Sequence, residues 1–74
     1  MRVRDPVYVE NGKRLRQLRG IRTRSGVAKE IGISYCSLAF YESGDRNPSP
    51  RVRKMIADYY GVPESFIFLP MHTA

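Results

Sequence analysis

The feature that most constrains this chain is the stretch Arg24 to Ser43, RSGVAKEIGISYCSLAFYES, in which two short apolar-periodic segments meet at Gly32. In the first, Val27, Ala28 and Ile31 stand at i, i+1 and i+4 and so gather on one side of a helix of about two turns. Gly32 ends it, because glycine enters the left-handed conformation without a Cβ penalty and lets the chain turn sharply. Ser34 is the natural N-cap of the next helix, its hydroxyl accepting from amides one turn on. In that helix Leu38 and Tyr41, at i and i+3, set the buried side. Rotating at about 100° per residue places Cys36, Ala39, Phe40 and Ser43 on the outward face. Ala28 supplies the small contact that two helices crossing this close to a turn require. Helix, glycine turn and serine-capped helix make a helix-turn-helix.

These marks, together with the runs YESGDRNP (Tyr41 to Pro48) and YYGVPESFIF (Tyr59 to Phe68), resemble the lambda-repressor/Cro-like, XRE-type helix-turn-helix family. The resemblance spans roughly residues 12 to 68 and rests on the combination rather than on Ala28 and Gly32 alone. It implies an all-α, five-helix, lambda-repressor-like fold, with residues 1–11 as an N-terminal extension, 12–69 as the helix-turn-helix domain and 70–74 as a tail.

Seventy-four residues suffice for one small core. The single cysteine, Cys36, excludes an internal disulfide or a cysteine-based zinc site, and the expected compartment is the cytoplasm. No apolar run approaches a membrane span, and no secretory signal core opens the sequence. The net charge of +6 is lodged entirely in residues 1–24, the remainder balancing to zero. Such a basic end suits a polyanion, nucleic acid being the commonest; a merely solvated face is the alternative.

Along the chain, Val7, Tyr8 and Val9 read equally as part of a basic arm with Arg2 and Arg4, a pairing strand or a frayed tail. A first helix is expected from Gly12 or Lys13 to Arg19, with Leu15 and Leu18 inward. The link from Leu18 to Thr23 is short for the family and puts Arg22 where an apolar residue is usual, so Ile21 is expected to supply the contact. Gly26 weakens the second helix by about 1 kcal/mol relative to alanine unless a backbone approaches there. Pro48 and Pro50 open a fourth helix, whose inward stripe is Val52, Met55, Ile56 and Tyr59 and whose Arg51, Arg53 and Lys54 are solvated. Pro63 starts a last short helix with Phe66, Ile67 and Leu69, which either completes the core or forms a two-fold contact.

Functional roles follow from the resemblance. Arg19 and Glu42 match a structural ion pair. Thr23, Arg24, Ser34, Ser43, Arg46 and Asn47 match phosphate-holding positions. Tyr35, Cys36, Ser37 and Phe40 match base-facing or edge positions of a helix placed in the major groove of duplex DNA. Between Ile33 and Glu42 there is no Arg, Lys, Asn or Gln, the usual bidentate base readers. Thymine methyls, hydroxyl contacts and DNA shape are left as the means of discrimination. The implied protein is a transcriptional regulator of phage or mobile-element type, binding as a homodimer. The rival is a protein-interaction module, an antitoxin or anti-repressor, docking a partner on Cys36, Ala39 and Phe40. A third reading folds Phe40 onto the core. No enzyme motif, cofactor site, small-molecule substrate or membrane partner is implied, and His72 stands alone without ligand-spaced neighbours.

Overall fold

Asp5 and Pro6 decide where the first helix begins. The Asp5 side chain accepts from the Val7 amide at 2.8 Å, and Pro6 occupies the first helical turn, where its missing N–H costs nothing. The computed structural model describes residues 4–69 as five helices: α1 Pro6–Arg19, α2 Arg24–Ile31, α3 Tyr35–Ser43, α4 Pro50–Tyr60 and α5 Glu64–Ile67. The start expected at Gly12 or Lys13 therefore moves back to Pro6. Val7, Tyr8 and Val9 belong to a helix because its cap lies just before them. Arg2, the tail 70–74 and His72 lie outside the described residues.

The extra turns of α1 lie across the C-terminal end of α3. Gly12 is buried where a Cβ would come 2.3 Å from the Glu42 carbonyl oxygen, and at Gly44 a Cβ would come 2.7 Å from the Val9 Cα. Two glycines thus set how closely the helices approach. Beside them Asn11, 2% exposed, donates from Nδ2 to Asn47 Oδ1 at 3.3 Å and accepts from the Leu69 amide at 2.9 Å. One amide side chain ties together α1, the segment after α3 and the end of α5.

The core has two joined parts. Leu15, Ile56, Ala57, Ile67 and Phe68 form one; Val27, Ala28 and Leu38 form the other, with Ile31 and Tyr60 touching both. Thr23 and Ser34 cap α2 and α3, and Gly32 sits between them at φ 95°. Ala28 is buried at the α2/α3 crossing, as a contact that close requires. Ile67 and Phe68 complete the core, whereas Phe66 faces outward. In α4 the inward stripe turns on Ile56 and Ala57, and Ser49 is the cap, so the helix starts at Pro50 while Pro48 is buried before it. Arg53 is not merely solvated: it donates to the Pro48 carbonyl at 3.1 Å and lies 3.7 Å from Glu64.

Ile21 does not supply the expected apolar contact; it is fully exposed. Arg22 takes that place by lying 5.6 Å over both the Tyr59 and Tyr60 rings, so a cation over two π-faces replaces a hydrophobic side chain. The Tyr60 hydroxyl beneath has no hydrogen-bond partner and is inaccessible to solvent. Burial, followed by the Glu42 charge, raises its pKa above the ordinary tyrosine value. No helix among the described residues is long and apolar enough to cross a membrane.

Gly12→Ala is expected to lower the unfolding free energy by about 2–3 kcal/mol, since its methyl meets backbone rather than a flexible side chain; an unchanged urea midpoint would show that α1 moves away freely. Tyr60→Phe is expected to stabilise the protein by about 1 kcal/mol at neutral pH by removing an unpaired buried hydroxyl. A folded-state pKa above the unfolded one gives stability that is full below about pH 10 and is lost as pH rises through the folded value. The phenylalanine variant should therefore lose less stability across that alkaline range, and an equal loss in both proteins would refute it.

Candidate nucleic-acid interface

Glu42, the penultimate residue of α3, is the anchor of this surface. Its carboxylate is wholly buried. Arg19 donates to it from Nε to Oε2 at 2.9 Å and from a terminal nitrogen to Oε1 at 3.1 Å, a two-pronged contact that fixes its plane. Arg24 donates from Nε to Oε1 at 2.9 Å. Arg16 donates to the Glu42 backbone carbonyl. One buried carboxylate therefore joins the end of α1, the start of α2 and the end of α3.

Arg24 reaches further. Its guanidinium lies 5.7 Å over the Tyr35 ring, and a terminal nitrogen donates to the Tyr35 hydroxyl at 3.3 Å. The hydrogen bonds to Glu42 first and Tyr35 second raise its pKa above the ordinary arginine value. The resemblance gave Arg24 a phosphate role alone. The structure adds an internal one, for which α2 must bring its first residue beside both ends of α3.

At the front of α3, Ser34, Tyr35 and Cys36 are exposed, Tyr35 by 51%. The Ser34 hydroxyl accepts from the Ser37 amide at 3.0 Å and donates to the Ser37 hydroxyl at 2.9 Å. Thr23, also exposed, accepts from the Gly26 amide at 3.0 Å, and a Cβ on Gly26 would crowd that hydroxyl at 2.9 Å. At the far end of α3, Ser43 is half-buried; its hydroxyl donates to Asp45 at 2.8 Å and lies 3.1 Å from the Phe40 carbonyl. Asp45 is bound in turn by Arg4 at 2.9 Å, a hydrogen bond that, with the charge of Asp45, raises the Arg4 pKa. Asn47 is held by Asn11. Arg46 is exposed, its guanidinium 4.7 Å over the Phe40 ring.

Phe40 therefore does not stand free on the outward face: it is half-buried beneath Arg46. Nor is it a member of either core cluster. Thr23, Arg24, Tyr35, Ser34 and Ser37 come together at the start of α2 and α3, while Phe40, Ser43, Arg46 and Asn47 gather at the end of α3 and the turn beyond. Sequence reasoning placed Arg4 only in a candidate basic arm and missed its pairing with Asp45, the role of Asn11 and the second role of Arg24. The Asp5-Pro6 start signal was present for the extension of α1, but nothing local marks partners tens of residues apart.

The described surface is thus that of a helix-turn-helix protein, with the second helix of the pair presenting its N-terminal residues to solvent. A family model described as Helix-turn-helix matches residues 13–67, and the chain belongs to that family. No curated protein matches it. Among solved structures it is similar to the SOS-response transcriptional repressor LexA from Eubacterium rectale, at 22% identity and a TM-score of 0.82, covering 99% of this chain and 84% of that one. It is similar to the restriction-modification controller protein C.AhdI from Aeromonas hydrophila at 25% identity and a TM-score of 0.74, covering 82% and 96%. The S. venezulae BldD DNA-binding domain gives 25% identity and a TM-score of 0.74, covering 86% and 99%.

Glu42→Gln retains the side-chain shape but leaves two arginines facing a neutral amide. It is expected to cost about 3 kcal/mol of stability, as breaking a buried pair does. Denaturant unfolding reads this directly; a loss under about 1 kcal/mol would place the pair with weak surface bridges.

Proposed function

We propose that the chain is a DNA-binding transcriptional regulator that places α3 in the major groove of duplex DNA and acts by binding rather than catalysis. The observation that carries the reading is the exposed front of α3, Ser34 to Cys36, set between hydroxyl-capped helix starts at Thr23 and Ser34 and the exposed cation Arg46. Helix starts and hydroxyls suit phosphate oxygens, and a protruding helix of this size suits the groove. Membership of the helix-turn-helix family supports it. So do similar structures described as a transcriptional repressor and a DNA-binding domain.

In this reading Thr23, Arg24, Ser34, Ser43, Arg46 and Asn47 lie along phosphates, and Tyr35, Cys36 and Ser37 meet base edges. Arg24 keeps its ties to Glu42 and Tyr35 while part of its side chain remains exposed. The protein acts in the cytoplasm as a homodimer of Cro type, carried by a phage or mobile element; Leu18 and the exposed Phe66, which line a groove between α1 and α5, are available to the two-fold contact. The rival protein-docking reading loses support because Arg46 covers Phe40, the largest member of the apolar strip on which it depends.

Titration of a fluorescent mixed-sequence duplex at two salt concentrations tests the proposal. With Arg24 and Arg46 as the charged anchors, a fourfold rise in salt is expected to weaken binding about tenfold per subunit. Arg46→Ala should lower affinity for all sequences alike, whereas changes at Tyr35 or Cys36 should alter the preference among sites. No retention of duplex even at low ionic strength would remove the proposal.

A further inference from the structure

The α3–α4 turn is wound around one residue. The Phe40 carbonyl accepts from the Gly44 amide at 3.2 Å, from the Asp45 amide at 3.1 Å and from the Arg46 amide at 3.4 Å, with the Ser43 hydroxyl oxygen 3.1 Å away. This convergence folds the turn back along the last turn of α3 and brings Arg46 over the ring of the residue that accepts its own backbone N–H. The guanidinium then rests 4.7 Å from the ring centroid. Among the described residues its N–H groups meet no acceptor. The ring contact uses no hydrogen-bond acceptor, so the five guanidinium donors remain uncommitted.

Resting on the duplex-binding reading above, we infer that Phe40 is a positioning residue for phosphate binding: its ring is the platform that holds the Arg46 guanidinium ready for a phosphate, and it does not read bases. A flexible exposed arginine loses rotamer freedom when it binds an anion, and stacking on a fixed ring removes part of that loss beforehand. Arginine is weakly hydrated, so resting on an aromatic face costs little water, and the bound anion does not compete for the same side of the group. Cys36 and Phe40, at i and i+4, share one face of α3, so the stacked cation lies one turn beyond the exposed Cys36, at the flank of the reading surface. Reading a base would require the ring to emerge from beneath Arg46.

The test is a double-mutant cycle on the full chain, with a mixed-sequence duplex as probe and salt dependence as the second readout. Phe40→Leu is expected to weaken binding about fivefold for every duplex, the factor corresponding to a cation–π contact of about 1 kcal/mol. It should also bring the salt slope toward that of Arg46→Ala. Phe40→Tyr keeps the ring and should retain both affinity and slope. In the Arg46→Ala background, Phe40→Leu should have no further effect. Because Phe40 lies outside both core clusters, thermal unfolding of each variant separates a folding defect from a binding one. An equal loss from Phe40→Leu with and without Arg46, failure of Phe40→Tyr to retain binding, or loss of site preference at unchanged mixed-duplex affinity would overturn the inference while leaving the duplex reading intact. Wild-type protein that binds no duplex overturns both.

Discussion

The placement of α3 depends on the buried carboxylate of Glu42. A charge removed from water is tolerable only when its lone pairs are filled, and Arg19 and Arg24 fill them from two directions. Neither arginine is as deeply buried as the carboxylate, so each keeps contact with solvent while neutralising a group that has none. The carboxylate therefore selects one arrangement of α1, α2 and α3, because any shift of a helix strands it. Hydrophobic contacts at Val27, Ala28 and Leu38 supply adhesion without that directional demand.

The closeness of α1 to α3 makes the directional network possible. At Gly12 there is no room for a side chain between α1 and the carbonyl of Glu42, and at Gly44 the turn after α3 touches Val9. From that proximity Arg16 reaches the Glu42 carbonyl, Asn11 reaches Asn47, and Arg4 reaches Asp45. Four of these residues, Arg4, Val9, Asn11 and Gly12, precede the span matched by the family model. The segment before that span is therefore part of what holds the α3–α4 turn in place.

The helix-turn-helix itself was legible because its signals are local. Thr23, Gly32 and Ser34 act through hydrogen bonds or dihedral angles within a few residues, and Ala28 and Leu38 follow the 3.6-residue period. The start of α1 was legible in principle from Asp5 and Pro6, but the β-branched alternation of Val7 to Val9 competed with it. What stayed hidden is carried by contacts across sequence distance. Arg22 replaces an apolar residue only because Tyr59 and Tyr60 are brought beneath it, and Ile21 is exposed for the same reason. The resemblance gave Arg24 a phosphate role, and Phe40 stood open between a base contact, a docking surface and the core. Their stacking on Tyr35 and beneath Arg46 depends on rotamers and turn geometry that periodicity does not encode.

The basic N-terminal third also changes meaning once its partners are known. Arg14 donates to the Phe66 carbonyl, Arg16 to the Glu42 carbonyl, and Arg22 to the Leu18 carbonyl and Tyr59 hydroxyl. The carbonyl and hydroxyl acceptors are neutral and restrain the side chains without cancelling their charges, although Arg14 also lies 3.5 Å from the Glu10 carboxylate. The field that attracts a polyanion survives, while the entropy of the flexible arginines has already been lost on folding. Arg4 is different, since Asp45 offsets its charge one to one, whereas Arg19 and Arg24 share the single carboxylate of Glu42 and keep one net positive charge between them. Under the proposed function this division separates duties: the neutral-partnered arginines draw DNA in at long range, and Arg46 on its ring marks the point of contact. With no bidentate base reader on α3, discrimination then rests on how well the groove fits Tyr35 and Cys36 while the anchors hold, so rigidity of the anchors itself becomes a source of selectivity.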